Sequence, residues 1–341
     1  MKKRPLVSVI IPTRNRAGLL LRALESARGQ DYDDLQIIVV DDASGDGTRE
    51  ALAALRRKDE RITYFSNPRP LGGMGARNAG IMNAKGEYVS FLDDDDEWLP
   101  SKVSRQVGFL EENPEVGAVS CWYIMKSGER TRKVKKLPVF AFDDILWKNF
   151  PGSFSFCLLR RSVFDSIDLP DETLPSAQDW DFWLKVSQKF RIGVVPEYLV
   201  LYHRHHAPKI SSSYKDKLTG HRMIYDRYRE YMDDKCRRHH LKYINFYASL
   251  SSHSSKDRLR HLVKLPLYFS MKSDIVFLLR GFCYALIPDE WIGAAKRHLS
   301  GVLAPRRPLI DDKELYKRVH KDEDLPDLCA SGEPASFLRK R

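Results

Sequence analysis

Near-continuous apolar runs alternate with segments of helical spacing through the N-terminal third of the chain, and that alternation restricts the fold more than any other feature. Residues 6–11, 35–40, 62–65, 88–92 and 116–123 read as strands, and residues 19–28, 48–55, 75–83 and 101–110 as the helices between them. Because the strands carry apolar side chains at successive positions, both of their faces must be covered. A parallel sheet with helices packed on each side meets that demand. The sequence therefore predicts an α/β fold, in which ligands bind beyond the carboxyl ends of the strands.

Three of those strand ends are crowded with polar residues: Pro12-Thr-Arg-Asn-Arg16, Asp41-Asp-Ala-Ser-Gly-Asp-Gly-Thr48, and the run Asp93 to Asp96. Four adjacent carboxylates repel one another, so a hard cation or a bound ligand is expected to offset them. The competing reading is a solvated loop in which Asp96 or Ser101 caps the helix at 102–110. Asp42 is placed to accept hydrogen bonds from a nucleobase or ribose. Asp46 or Ser44 is expected to cap the helix that starts at Thr48.

The chain has 341 residues, 43% of them hydrophobic, enough for a full core. Its five cysteines (Cys121, Cys157, Cys236, Cys283, Cys329) show no paired spacing, which fits a reducing compartment better than a disulfide framework or a zinc site. The N-terminus lacks the pattern of a signal peptide, so a cytoplasmic location is expected. The net charge of +11 is uneven: residues 1–213 hold 31 Lys and Arg against 29 Asp and Glu, and residues 214–341 hold 26 against 17. Within the basic part, residues 275–287 are apolar but include Arg280 and fall short of the roughly 20 residues a membrane span needs. They suit either a membrane-surface helix or a core-packing helix pair with a basic outer face.

Four blocks, Val7-Ser-Val-Ile-Ile-Pro-Thr-Arg-Asn-Arg16, Val39-Val-Asp-Asp-Ala-Ser-Gly-Asp-Gly-Thr48, Gly75-Ala-Arg-Asn-Ala-Gly80 and Gly86-Glu-Tyr-Val-Ser-Phe-Leu-Asp-Asp-Asp-Asp-Glu-Trp-Leu-Pro100, resemble the family 2 inverting glycosyltransferases in order and spacing. The resemblance covers about residues 5–215 and is of the bacterial surface-polysaccharide type. It implies the GT-A fold, a mostly parallel sheet flanked by helices, here with a helical C-terminal extension. The expected organisation is a transferase domain at 1–215, a basic helical extension at 216–304 and a polar tail at 305–341.

Carried over by position, the resemblance puts the family's Asp-x-Asp on Asp93, Asp94 and Asp95. Asp95 and Asp93 would hold Mn²⁺ or Mg²⁺ on the donor diphosphate, Asp94 would touch ribose or sugar, and Asp96 is left as a cap. Pro12, Thr13, Asn15, Asp42 and Arg77 match the nucleotide pocket. In Ser176-Ala-Gln-Asp-Trp-Asp-Phe-Trp-Leu-Lys-Val186, Asp179 matches the general base, although Gln178 stands where the family often has Glu. Trp180 and Trp183 are expected around it, excluding water and offering faces for a sugar. His205, with neighbours His203 and Arg204, matches an element that reaches the diphosphate or the metal. The implied activity is metal-dependent, inverting transfer of one sugar from a nucleotide-diphosphate sugar, a UDP-sugar foremost, to a hydroxyl of a glycan or lipid-linked glycan.

Other classes fit less well. No Gly-x-Gly-x-x-Gly follows the first strand, which disfavours a dinucleotide oxidoreductase, and the Gly-rich, Lys-containing loop of sugar-nucleotide pyrophosphorylases is missing. A Gln-x-x-Arg-Trp motif, the mark of processive synthases, is also missing. A non-catalytic nucleotide-sugar-binding or scaffold protein would be expected to lose one of the two acidic sites. The basic stretch 126–136 reads as a solvated hairpin or a loop over the acceptor cleft; no nucleic-acid module accompanies it. Helices are expected at 221–241, 259–271, 275–287 and 290–303. They leave a peripheral contact with the inner membrane face open.

Overall fold

The computed structural model describes residues 4–204, 213–252 and 254–264, in two compact units divided after Met232. The first unit thus reaches beyond the boundary at 215 drawn from sequence. Among its described residues are ten strands: β1 (Val7–Thr13), β2 (Leu35–Asp41), β3 (Ile62–Ser66), β4 (Tyr88–Phe91), β5 (Glu97–Trp98), β6 (Val116–Ser127), β7 (Arg130–Val134), β8 (Val139–Phe140), β9 (Leu158–Arg160) and β10 (Arg191–His203). Its helices are α1 (Ala17–Arg28), α2 (Thr48–Arg56), α3 (Gly72–Met82), α4 (Lys102–Glu112), α5 (Phe142–Trp147), α6 (Gln178–Ser187) and α7 (Tyr214–Tyr228).

The strands form one mostly parallel sheet in the order β3-β2-β1-β4-β9-β6-β10-β5, with β7 paired to β6 and β8 to β10. Pairing is parallel from β3 through β4 and again between β6 and β10, and β9 is inserted antiparallel between β4 and β6. Every residue of β1 is buried, as the near-continuous apolar pattern requires. Helix α1 covers the sheet with Leu20, Ala23, Leu24 and Ala27, an i, i+3, i+4, i+7 stripe. Burying each leucine there contributes roughly 1.5–3 kcal/mol.

Several helix starts are hydrogen-bonded to residues distant in sequence. Helix α3 begins at Gly72, three residues early, because the Asp42 carboxylate takes the N–H groups of Leu71 and Gly72 at 2.8 Å each. Neither Asp96 nor Ser101 caps α4; Gln30 Oε1 accepts from Val103 N at 3.0 Å instead. Asp46, rather than Ser44, serves α2, accepting from Thr48 N at 3.1 Å, and its other oxygen takes Ala17 N at the start of α1.

The expected helix at 221–241 is two helices. Helix α7 ends at Tyr228, a tight turn covers Arg229–Tyr231, and α8 (Asp234–Ser251) restarts in the second unit under an Asp233 side-chain cap on Cys236 N. Helix α9 (Ser255–Leu262) packs on α8. The helices expected beyond residue 264, the membrane-surface segment and the polar tail lie outside the described residues. Among the described residues no helix is long and apolar enough to cross a membrane.

Candidate active site

Strand β4 delivers its chain into the acidic run at the carboxyl edge of the sheet, where the end of β1 lies alongside. The four carboxylates have separate surroundings. Asp93 pairs with Arg77 and accepts from Ser153 Oγ at 3.0 Å, while its N–H donates to Ser155 Oγ at 3.0 Å. Asp94 accepts from Thr13 Oγ1 at 2.9 Å and from Arg16 at 3.0 Å. Arg16 also lies 3.9 Å from Asp95, and Arg22 donates to the Asp95 carbonyl at 3.0 Å while pairing with Glu97 at 3.3 Å. Asp96 is wholly buried and accepts from His203 N at 3.1 Å.

Asp96 is therefore not the solvated cap expected of it. One oxygen each from Asp93, Asp95 and Asp96 lies within 4.8 Å of the others, and Asp96 Oδ2 is buried with no hydrogen-bond partner among the described residues. Burial, followed by the charges of Asp93 and Asp95, pushes the Asp96 carboxyl well above its ordinary range. Burial also raises Asp94, against the opposing pull of Arg16 and Thr13. Oxygen donors at this spacing, with one buried oxygen unmatched, fit a hard divalent cation such as Mn²⁺ or Mg²⁺. Arg16 and Arg77 offset only part of the excess.

The nucleotide-pocket candidates converge on the same edge. Pro12 is the buried penultimate residue of β1, and Thr13 ends that strand against Asp94. Asn15, held at φ 52°, donates its N–H to Ser44 Oγ at 2.8 Å and accepts from Gly45 N at 2.7 Å, which clips the first and second strand ends together. Arg77 crosses the Phe154 ring at 4.7 Å on its way to Asp93. Asp42 is buried, with both carboxylate oxygens hydrogen-bonded to Asn67, Leu71 and Gly72. His205 lies outside the described residues. His203 contacts Glu97 at 2.6 Å, and burial holds its imidazole below the ordinary value.

Asp179 stands in the first turn of α6, behind Ala177 in a left-handed conformation at φ 60°. One of its oxygens accepts from Trp180 N at 2.9 Å. The expectation that Trp180 and Trp183 offer faces to a sugar is overturned: both are buried, their indoles donating to Ile145 O at 2.6 Å and Gly152 O at 2.8 Å. They fix α6 instead. The loop that Trp183 grips also carries Ser153 and Ser155, so residues 152–155 join α6 to the acidic run. Asp181 is a buried anchor, taking Arg227 of α7 at 2.9 Å and Lys185 at 3.2 Å.

Arg16, Arg22, Ser153, Ser155 and Arg227 had no role in the sequence reading. Arg16 sits inside a recognised block and was discoverable as a cation facing the acidic run. Nothing local distinguishes the two serines or Arg227.

The family model for glycosyl transferase family 2 matches residues 8–168. An uncharacterized glycosyltransferase of Rickettsia bellii is 34% identical over 245 residues, 64% of this chain and 35% of the relative, so the chain spans about a third of that protein's length. The UDP-Glc:alpha-D-GlcNAc-diphosphoundecaprenol beta-1,3-glucosyltransferase WfaP of Escherichia coli is 31% identical over 208 residues, covering 61% of this chain and 80% of that one. Among solved structures, the mannosyltransferase PcManGT from Pyrobaculum calidifontis, in complex with GDP-Man and Mn²⁺, matches with a TM-score of 0.59 at 19% identity over 94% of this chain and 89% of its own. S. aureus TarS 1-349 in complex with UDP-GlcNAc gives 0.56 at 21% identity over 93% and 91%. Those two likenesses show the GT-A fold. The family model and the sequence relatives show that the chain belongs to glycosyl transferase family 2.

Proposed function

We propose that the chain moves one sugar, with inversion, from a UDP-sugar to a hydroxyl of a glycan or lipid-linked glycan in polysaccharide or lipopolysaccharide assembly, at the inner face of the membrane. The observation that carries this reading is the acidic cluster with its unmatched Asp96 oxygen, tied through residues 152–155 to the helix whose first turn carries Asp179. Relatives support the substrate class, since WfaP is named for a UDP-glucose donor and a diphosphoundecaprenol-linked acceptor. Asp93, Asp95 and Asp96 would hold Mn²⁺ or Mg²⁺, which supplies neutralising charge to a departing diphosphate. His205 remains a candidate further ligand.

The chain's own residues account for the other steps. Asp179 accepts the proton of the acceptor hydroxyl as its oxygen bonds to the anomeric carbon from the face opposite the diphosphate. The bond from that carbon to the diphosphate oxygen breaks, and the nucleotide diphosphate leaves. Thr13, Asn15, Asp42 and Asp94 line the nucleotide side, while Arg77 and Arg16 add positive charge where phosphate oxygens would lie. Trp180 and Trp183 hold the base in place by packing.

The test is a donor screen that follows nucleotide release with and without Mn²⁺. Slow hydrolysis of one nucleotide-sugar, lost on chelation, is expected. Failure of every donor to bind in a metal-dependent way would overturn the proposal.

A further inference from the structure

We infer that the β6–β7 hairpin is a docking surface for an anionic phospholipid bilayer. Residues 126–136 hold six Lys and Arg against a single acid, Glu129. Arg130, Arg132, Lys133 and Lys135 are exposed, and none of the four forms an ion pair among the described residues. Lys136 is different: its Nζ is used inside, donating to Ser120 Oγ at 2.7 Å and to the Pro151 carbonyl. The ribbon turns tightly at Gly128, whose φ of +57° suits the first central position of a two-residue hairpin loop.

The register decides what the hairpin presents. Lys133 lies opposite Ile124, and both Lys133 and Lys135 rest over aromatic rings at the ribbon's base, Lys133 Nζ 5.3 Å from the Tyr198 centroid and Lys135 Nζ 4.8 Å from that of Trp122. Those two half-exposed rings lie 5.3 Å apart. Arg130 and Arg132 alternate onto the opposite side. A cationic ribbon with Trp and Tyr at its root suits the headgroup zone of an anionic leaflet, where aromatic rings settle and basic side chains meet negative surface potential.

Edge protection is the plainer account, since β7 pairs only with β6 and charged residues commonly blunt such edges. Charges of either sign would serve that purpose, whereas a lipid surface requires cations. A nucleic-acid partner is disfavoured because no recognisable nucleic-acid module accompanies the ribbon.

Position adds a reason for the surface to matter. The turn end of the ribbon lies beside β10, where His203 pairs with Lys126 and Arg204 N donates to Lys126 O at 2.7 Å, and the same His203 donates its N–H to Asp96. A leaflet held by the hairpin would thus lie at the edge that carries the acidic cluster. This inference goes beyond the transfer reaction and does not depend on it.

The experiment is co-sedimentation of the full chain with phosphatidylcholine vesicles, with and without phosphatidylglycerol. Salt-sensitive binding to the anionic vesicles alone is expected. Lys133→Glu with Lys135→Glu, and separately Arg130→Glu with Arg132→Glu, should each weaken it by at least about tenfold, because each basic group near such a surface contributes roughly a fivefold factor. Both pairs keep a charged edge, and the neutral pair Lys133→Gln with Lys135→Gln covers the case in which a reversal fails to fold. Unchanged melting and vesicle-free nucleotide release certify each variant and keep this test separate from that of the donor. Failure of the wild type to bind, undiminished binding by the variants, or tighter hairpin-dependent binding of an oligonucleotide would each overturn the inference.

Discussion

Gly220 lies in α7, well outside the residues that match the family model, yet replacing it with alanine should cripple catalysis more than it unfolds the protein. A Cβ at this position would stand 2.4 Å from the Ser176 carbonyl oxygen and 2.9 Å from its carbon. Ordinary carbon–oxygen contact is about 3.3 Å, so about 0.9 Å must open between α7 and the backbone three residues before Asp179. Two energies oppose each other. Alanine gains about 1 kcal/mol in helix propensity, and overpacking costs about 1–3 kcal/mol, so net destabilisation is at most about 2 kcal/mol and the melting temperature falls by less than about 8 °C. A displaced base is more serious, since misplacement by about 1 Å costs on the order of a hundredfold in rate. Turnover measured beside donor binding should therefore show kcat reduced on the order of ten- to a hundredfold with donor affinity kept. Gly108, in α4, is the control: a Cβ there meets nothing within 4 Å, so Gly108→Ala should leave activity unchanged and raise stability slightly. Wild-type kcat in Gly220→Ala, or an equal loss in donor affinity, would refute the idea that α7 sets the position of Asp179.

Asp179→Asn should lower transfer by about 10²–10⁴-fold while nucleotide-sugar affinity by calorimetry changes little; near-normal turnover would remove Asp179 from the role of base. Arg16→Gln should tighten Mn²⁺ binding measured without donor, because Asp94 and Asp95 lose a competing cation, and weaken donor affinity measured with metal. No change in either would show that Arg16 neither screens the aspartates nor meets the donor. Lys102 is fully buried between Ser90, at 3.0 Å, and Gln106, at 2.7 Å, and burial brings its ammonium down to about 8. Its folded value lies below the ordinary one, so the unfolded chain binds more protons across that window and stability rises with pH from about 8 toward 10.5; denaturant titrations should lose this rise in Lys102→Met, and an identical slope would contradict the assignment. Arg227→Met, which strips one cation from buried Asp181, should cost about 2 kcal/mol in chemical unfolding, with Lys185 limiting the damage. An unchanged midpoint would mean that Lys185 alone satisfies Asp181.

Much of the donor half was legible because it is written locally. Strands buried on both faces read as apolar runs, the polar residues that follow them sit at the sheet's carboxyl edge, and β1 and β2 came within two residues of their observed ends. What stayed hidden acts across long chain separations. Asp42 caps a helix 29 residues away, Gln30 caps one 73 away, and β9 enters the sheet with three residues too few to show a period. The tryptophans after Asp179 misled for a related reason. An aromatic at helical spacing looks the same whether its ring faces a ligand or the core, and only the indole bonds to Ile145 and Gly152 decide between the two.

The acidic run shows how such distant contacts assign different tasks to identical neighbours. Alone, Asp93 to Asp96 present four like charges, a costly arrangement whichever of them binds a ligand. The fold brings Arg77 from α3 to Asp93 and Arg16 from the turn after β1 to Asp94, and it buries Asp96 with one oxygen unmatched. These arginines are counter-ions to two of the four carboxylates. They match Asp93 and Asp94 and leave Asp96 as the least compensated of three converging carboxylates. Because Arg16 is 38% exposed, it can leave Asp94 for an entering phosphate without a large desolvation cost. Under the proposed function the same guanidinium would screen the aspartates before a phosphate enters and hold that phosphate afterwards, and the paired Mn²⁺ and donor affinities of Arg16→Gln test both halves of that exchange.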